Sequence, residues 1–133
     1  MTGLAWLDRF ARSLDRSDVI VEHGSAEAAR ILAFQGGGEA VTVSGEDGHT
    51  ILFASPDPSA SAVLEELAHV LQHHRRRFAD LDVREMCARR EVEAKECLDH
   101  HADRFNVPEL ERTETRAQLE AWRRELVRLE EWL

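Results

Sequence analysis

The chain has 133 residues, of which 43% are hydrophobic and 32% are charged, and these proportions predict one globular domain spanning residues 1–133. Acidic residues outnumber basic residues by 26 to 17, so the formal net charge of −9 argues against a nucleic-acid partner. No run approaches the roughly 18 apolar residues of a membrane span, and residues 1–18 are amphipathic, unlike a signal peptide. We therefore expect a cytoplasmic protein with no membrane partner.

The first part of the chain is predicted to contain two helices and a short strand. Apolar residues within 4–14 recur at helical spacing, and the β-branched run 19–21 is typical of a strand. Ser25 is a suitable N-cap for a helix over residues 26–34, and the three glycines at 36–38 end that helix.

The clearest strand signal is a hairpin. Residues 39–44 and 49–54 are rich in strand-forming residues, and they flank Gly45-Glu46-Asp47-Gly48, whose Asp-Gly pair is typical of a tight turn. Three helices are predicted to follow, over about residues 60–78, 83–105 and 109–133. The pattern therefore predicts a mainly helical α+β fold with a small β-hairpin sheet.

The two cysteines, Cys87 and Cys97, lie ten positions apart on one predicted helix. At about 1.5 Å of rise per residue they are too far apart for a disulfide, which is compatible with a reducing compartment. With neither a Cys-x-x-Cys spacing nor a nearby His, both are expected to have packing roles.

The helix over residues 60–78 carries a polar face suited to a cation. On a helical wheel, Glu65, Glu66, His69, Gln72 and His73 gather opposite the apolar side. Glu65, His69 and His73 are successive i, i+4 neighbours, so their side chains can converge on one ion. Carboxylate oxygen and imidazole nitrogen together suit zinc, and Glu66 is placed to take a proton from a water on the metal. A solvated helix face explains the same residues equally well.

The next helix supplies a further candidate ligand. Its apolar stripe includes Glu91, whereas Glu93 points away from that stripe. An unpaired carboxylate is costly to bury, so Glu91 is expected either to pair with a neighbouring arginine or to bind a metal. The apolar members of the stripe are Val83, Cys87, Ala94, Leu98, Ala102 and Phe105.

The segment Glu66-Leu67-Ala68-His69-Val70-Leu71-Gln72 resembles the end of the His-Glu-Leu-x-His-x-x-Gln helix of zincin-like metallopeptidases. The order of a hairpin, the motif helix and a helix with Glu-x-x-Ala at residues 91–94 is similar to small intracellular zincins and to zincin-like toxin domains. The resemblance covers about residues 39–105. It implies a zincin-like domain in which the small sheet packs on the motif helix.

The resemblance also implies a zinc site and assigns roles in it. Glu66 would be the general base, His69 the second ligand and Glu91 the third ligand, with zinc as the cofactor. The first ligand position holds Glu65 where the family has His, and two carboxylates with one imidazole leave the ion less acidic. The domain is then a variant zincin that uses Glu65, a zincin that recruits His73, or a zincin-shaped protein that has lost its chemistry.

His73 is the candidate additional ligand. His69 and His73 have the spacing of the inverted zincin motif, but Gln72 stands where that motif needs a catalytic Glu, and Gln cannot act as a base. His73 is therefore at most an extra ligand or a group beside the substrate.

The expected function is zinc-dependent hydrolysis of a peptide bond in a protein or peptide substrate. The domain would act on one dedicated protein or work as a toxin or effector module released from a longer chain. The alternative is a catalytically degenerate protein-binding module. Its surface would be the last helix, whose apolar seam is long enough to bind a protein partner or a second copy of the chain. The seam residues are Trp122, Leu126, Leu129 and Leu133.

Overall fold

The computed structural model describes residues 19–34, 39–45 and 48–132. This part of the chain is mainly helical with a small sheet, which confirms the predicted α+β class. The elements in chain order are β1 (Val19–His23), α1 (Ala26–Phe34), β2 (Ala40–Gly45), β3 (Gly48–Phe53), α2 (Ala60–His74), α3 (Val83–His100) and α4 (Glu109–Trp132). The helix predicted over residues 4–14 and the turn residues 46–47 lie outside the described ranges.

The chain divides into two compact units, Met1–Val70 and Leu71–Leu133, and the division falls inside α2. The first unit contains a three-stranded sheet in the order β1-β3-β2. The strands β2 and β3 form the predicted antiparallel hairpin, with Ala40 opposite Phe53. On the other side of β3, β1 runs parallel, with Val19 opposite His49. In this sheet β3 is central and β2 is an edge strand.

The start of α2 is fixed by contacts within the first unit. The Oγ of Ser59 accepts a hydrogen bond from the backbone N–H of Ala62 at 3.2 Å, which caps the helix. The backbone N–H of Ser59 donates to Oε1 of Glu39 at 3.1 Å and so ties the helix start to the residue before β2. The following turns bury Val63 and Leu67. The helix that carries the motif is thus anchored beside the strand that precedes the hairpin turn.

The end of α2 lies at His74, whereas the apolar spacing predicted a helix to about residue 78. Arg76 has a left-handed φ of 55°. The N–H of Arg77 donates to the carbonyl of Gln72 at 2.9 Å, and the N–H of Arg76 donates to that of His73 at 3.1 Å. These two bonds form a Schellman motif, which closes a helix on a left-handed residue. Apolar periodicity does not predict this helix end, because the end is determined by a left-handed backbone conformation and not by the spacing of side chains.

The second unit is built on an antiparallel pair of helices, α3 and α4. Asp82 caps α3 by accepting a hydrogen bond from the N–H of Arg84 at 3.0 Å. Ion pairs join α4 to α3 and to the residues just after α3. Because the two helices run antiparallel, a residue later in α4 pairs with a residue earlier in the chain. These pairs are Arg112–Asp103, Arg116–Asp99, Arg123–Glu96 and Arg89–Glu130.

The apolar seam predicted on α4 lies partly inside this unit. Leu129 is buried, and Trp122 and Leu126 are partly exposed, while Leu133 lies outside the described residues. Leu119, ten positions before Leu129, is also buried. The helix exposes a different set of large apolar side chains, Leu110, Val127 and Trp132.

The start of α3 is more exposed than its apolar stripe predicted. Val83 is exposed. Cys87 and Cys97 are free thiols, and both residues are exposed, so the packing role expected of them is wrong. Val83 and Cys87 lie one turn apart in the first part of α3, and both are exposed there. A helical wheel gives the direction of a side chain but not whether another element covers that part of the helix.

No helix in the described ranges has both the length and the apolar character needed to cross a membrane.

Candidate metal centre

Two of the predicted ligands lie together on α2 in the first unit. Glu65 and His69 are four positions apart, so their side chains stand one above the other. Oε1 of Glu65 lies 3.9 Å from Nε2 of His69, and the two side chains are only 18% and 17% exposed. Two ligand atoms each about 2 Å from a tetrahedral zinc ion lie about 3.3 Å apart. A small rotation of either side chain therefore brings the pair to the spacing of two zinc ligands.

Glu66, the predicted general base, is buried and does not lie on a solvated face. It is only 8% exposed. The Oγ1 of Thr42, on the edge strand β2, donates a hydrogen bond to Oε2 of Glu66 at 2.5 Å. The helical wheel placed Glu66 with the solvated residues, and that placement is wrong because α2 meets β2 on this side. The carboxylate is held in a defined orientation one residue after Glu65.

Gln72 is likewise buried, at 4% exposure, rather than solvated as the wheel predicted. It belongs to the last turn of α2, in the second unit. Its Nε2 donates to the backbone carbonyl of Arg90 at 2.9 Å and to Oε1 of Glu93 at 3.1 Å. Gln72 thus connects the end of α2 to α3, and it has a structural role in this unit.

Glu93 completes that connection. Arg77 binds its carboxylate with a shortest distance of 2.5 Å, from Nη2 to Oε2. The hydrogen bond from Arg77 holds the pKa of Glu93 below its usual value, although burial acts in the opposite direction. Arg90 adds a hydrogen bond from its Nε to the carbonyl of Arg77 at 2.9 Å. The residue predicted to point away from the apolar stripe therefore forms an ion pair with Arg77, three positions after the end of α2.

Glu91, the predicted third ligand, lies on α3 in the second unit and is partly exposed. Its Oε2 accepts a hydrogen bond from Nζ of Lys95 at 2.6 Å. Lys95 is only 3% exposed. An ion pair was one of the two expectations for Glu91, but the partner expected was an arginine, and the structure has a buried lysine four positions further along the same helix.

His73, the candidate additional ligand, lies in the last turn of α2, and its side chain is exposed. This exposure agrees with a solvated helix face at His73, and the role of an additional ligand stays a prediction.

Sequence reasoning missed two residues that contact the candidate site. Lys95 follows Glu91 at i+4 and precedes the buried Leu98 by three positions, so helical spacing alone places it on the same stripe. Thr42 gives no comparable signal, because the partner of a strand residue on a distant helix depends on how the two elements pack.

No protein-family model matches the chain, and neither a curated protein nor a solved structure shows significant similarity to it. The likeness to zincins therefore consists of the motif residues 66–72, the Glu-x-x-Ala at 91–94 and the order of the elements.

Proposed function

We propose that this protein is a zinc-dependent metallopeptidase whose ion is bound by Glu65, His69 and Glu91, with Glu66 as the general base. Each of the three proposed ligands offers one ligand atom, two carboxylate oxygens and one imidazole nitrogen. The observation that carries the proposal is the sheltered Glu65–His69 pair on α2, with a buried and oriented carboxylate at the next position, Glu66. Glu91 enters the proposal from the Glu-x-x-Ala resemblance.

The donor set suits zinc, which is bound in proteins by imidazole nitrogen and carboxylate oxygen. Bound zinc would supply Lewis-acid chemistry, acidifying a water molecule and polarising the carbonyl of the peptide bond. Because two carboxylates and one imidazole withdraw less charge from the water than two imidazoles and one carboxylate, we expect a slower enzyme than a zincin with two His ligands.

Glu66 is the group of this chain that moves the proton. Thr42 holds Oε2 of Glu66, so in this proposal the proton is taken from water at Oε1 and returned to the amine that leaves. Burial of Glu66 keeps bulk water away from the carboxylate, and the hydrogen bond from Thr42 fixes its orientation.

The proposed substrate is a peptide bond in a protein or peptide. The proposal places the reaction in the cytoplasm, since Cys87 and Cys97 are both free thiols. It involves neither nucleic acid nor a membrane as a partner.

A second candidate function is a protein-binding module without catalysis. One observation favours it: the carboxylate of Glu91 already carries the ammonium of Lys95. The two functions differ in one requirement, because only the peptidase needs a bound metal.

The proposal is tested by incubating the zinc-loaded protein with a mixed-sequence peptide library and identifying the products by mass spectrometry. We expect cleavage that a chelator abolishes and that Glu66→Gln reduces by at least about 100-fold. Glu114→Gln is the matched control, because it removes the same charge from an exposed position on α4. Cleavage by Glu66→Gln at the wild-type rate would contradict the role of Glu66, and no cleavage by the zinc-loaded protein would favour the binding module.

A further inference from the structure

Lys95 is a buried cation at the proposed third ligand. Its residue is 3% exposed, and its Nζ lies 2.6 Å from Oε2 of Glu91, the residue four positions earlier on α3. The side chain of Glu91 is 26% exposed, so the lysine is the more deeply buried partner of the pair. An ammonium group is costly to remove from water, and a close carboxylate offsets that cost.

The contact also changes what Glu91 offers to a metal ion. A carboxylate that holds an ammonium at 2.6 Å has part of its charge already neutralised, and its oxygen lone pairs are directed at the N–H groups. A dication that binds the same carboxylate must share it with Lys95 or displace the ammonium from it. Either route costs free energy. That cost is absent where no ammonium group is bound to the carboxylate ligand.

We propose that Lys95 is an internal competitor of the metal ion at Glu91 and sets the zinc affinity of the site. This inference rests on the proposed function, since it concerns the same ligands. Lys95 acts through Glu91 and is a positioning residue rather than a catalytic one. Removing its charge while keeping its length releases the carboxylate of Glu91 from the ammonium group.

The test is a zinc titration by competition with a chromophoric chelator, with zinc alone as the probe and no substrate. The variants are Lys95→Met, which keeps the chain length without the charge, and Lys95→Gln, which serves if the first does not fold. We expect either variant to bind zinc more tightly than the wild type, by a factor on the order of 10 to 100, the usual range for a residue that contacts a metal ligand.

Two further variants separate a local effect from a general one. Arg89→Met is the matched control, because Arg89 forms an i, i+4 ion pair with Glu85 on the same helix, and its removal changes the net charge equally. We expect Arg89→Met to bind zinc as the wild type does. In Glu91→Gln, the additional change Lys95→Met is expected to have no effect on zinc affinity, because the ligand through which Lys95 acts is absent.

The outcomes distinguish this inference from the proposed function. Zinc binding by the wild type with no gain in Lys95→Met or Lys95→Gln overturns the role of Lys95 and leaves the metal site standing. Binding by the Lys95 variants alone overturns the metallopeptidase and supports Lys95 as the cation that occupies the site in its place. No binding by any variant overturns both, and a gain of equal size in Arg89→Met overturns the inference as a general charge effect.

Discussion

At the scale of single residues, the hydrogen bond between Thr42 and Glu66 joins the motif helix to the edge strand of the sheet. The hydroxyl of Thr42 donates to the buried carboxylate at 2.5 Å. Each hydrogen bond to a buried, charged carboxylate offsets part of the free energy that its burial costs. Losing one such donor therefore destabilises the folded state.

We predict that Thr42→Val lowers the free energy of unfolding by about 1–3 kcal/mol, because valine keeps the shape of threonine but cannot donate to Glu66. Thr42→Ser, which keeps the hydroxyl, is expected to retain most of the stability that Thr42→Val loses. Urea denaturation of the three proteins measures the difference. A Thr42→Val protein as stable as the wild type would show that the hydrogen bond contributes nothing to folding.

A second prediction at this scale concerns pH and the pair of Arg77 and Glu93. The pKa of Glu93 is lowered, first by the hydrogen bond from Arg77, so the folded state binds its proton less readily than the unfolded state does. A depressed carboxyl pKa contributes stability above the unfolded value and loses it as the pH falls through the folded value. The ordinary pKa of a glutamate carboxyl group is about 4.3, so the loss of stability begins near that pH and continues below it.

The measurement is the unfolding free energy of the wild type and of Glu93→Gln at pH 7 and at about pH 3. Glu93→Gln should be less stable than the wild type at pH 7, and the difference should shrink at the acidic pH. A difference that stays constant between the two pH values would contradict the role of the charged Glu93.

At the scale of elements, the end of α2 depends on a residue in an unfavourable conformation. Arg76 has a φ of 55° in the Schellman motif, a position where glycine is preferred because it has no Cβ. We predict that Arg76→Gly stabilises the protein by about 0.5–1 kcal/mol, the gain from relieving the left-handed strain less the entropy cost of glycine.

Arg75→Gly is the control for that prediction. Arg75 is the preceding exposed arginine, and it is not among the described residues with a positive φ. There the substitution relieves no strain, adds the entropy cost of glycine and removes the favourable charge interaction of Arg75 with Glu93, so Arg75→Gly is expected to destabilise. Thermal unfolding of both variants compares them, and equal shifts in the same direction would rule out strain at Arg76.

The elements differ in how well the sequence predicts them. Local signals predict the hairpin, from its strand composition and Asp-Gly turn chemistry. Local signals also predict α1 and the starts of α2, α3 and α4, from Ser caps and apolar periodicity. The parallel pairing of β1 with β3 and the end of α2 at His74 do not follow, because one depends on a distant strand and the other on a left-handed backbone.

The candidate site shows the same division. The Glu65–His69 pair follows from i, i+4 spacing and is found together. The burial of Glu66 and Gln72 does not follow, because a wheel with one apolar face ignores a polar residue that packs on a strand or on another helix. Lys95 could be placed on the stripe of Glu91 from spacing, but its burial depends on tertiary packing.

At the scale of the whole molecule, the peptidase and the binding module are separated by the presence of a metal ion. The net charge of −9 favours attraction of a cation to the protein in general, so nonspecific zinc uptake must be distinguished from binding at one site. Substitution of a ligand makes that distinction, because it removes one site and leaves the overall charge nearly unchanged.

The most direct test is the zinc content of the purified protein after equilibration with buffered zinc, measured by elemental analysis for the wild type, His69→Ala and His73→Ala. The account predicts about one zinc ion per chain in the wild type and in His73→Ala, and loss of that ion in His69→Ala. Absence of zinc from the wild type, or its full retention in His69→Ala, would contradict the proposed metal centre.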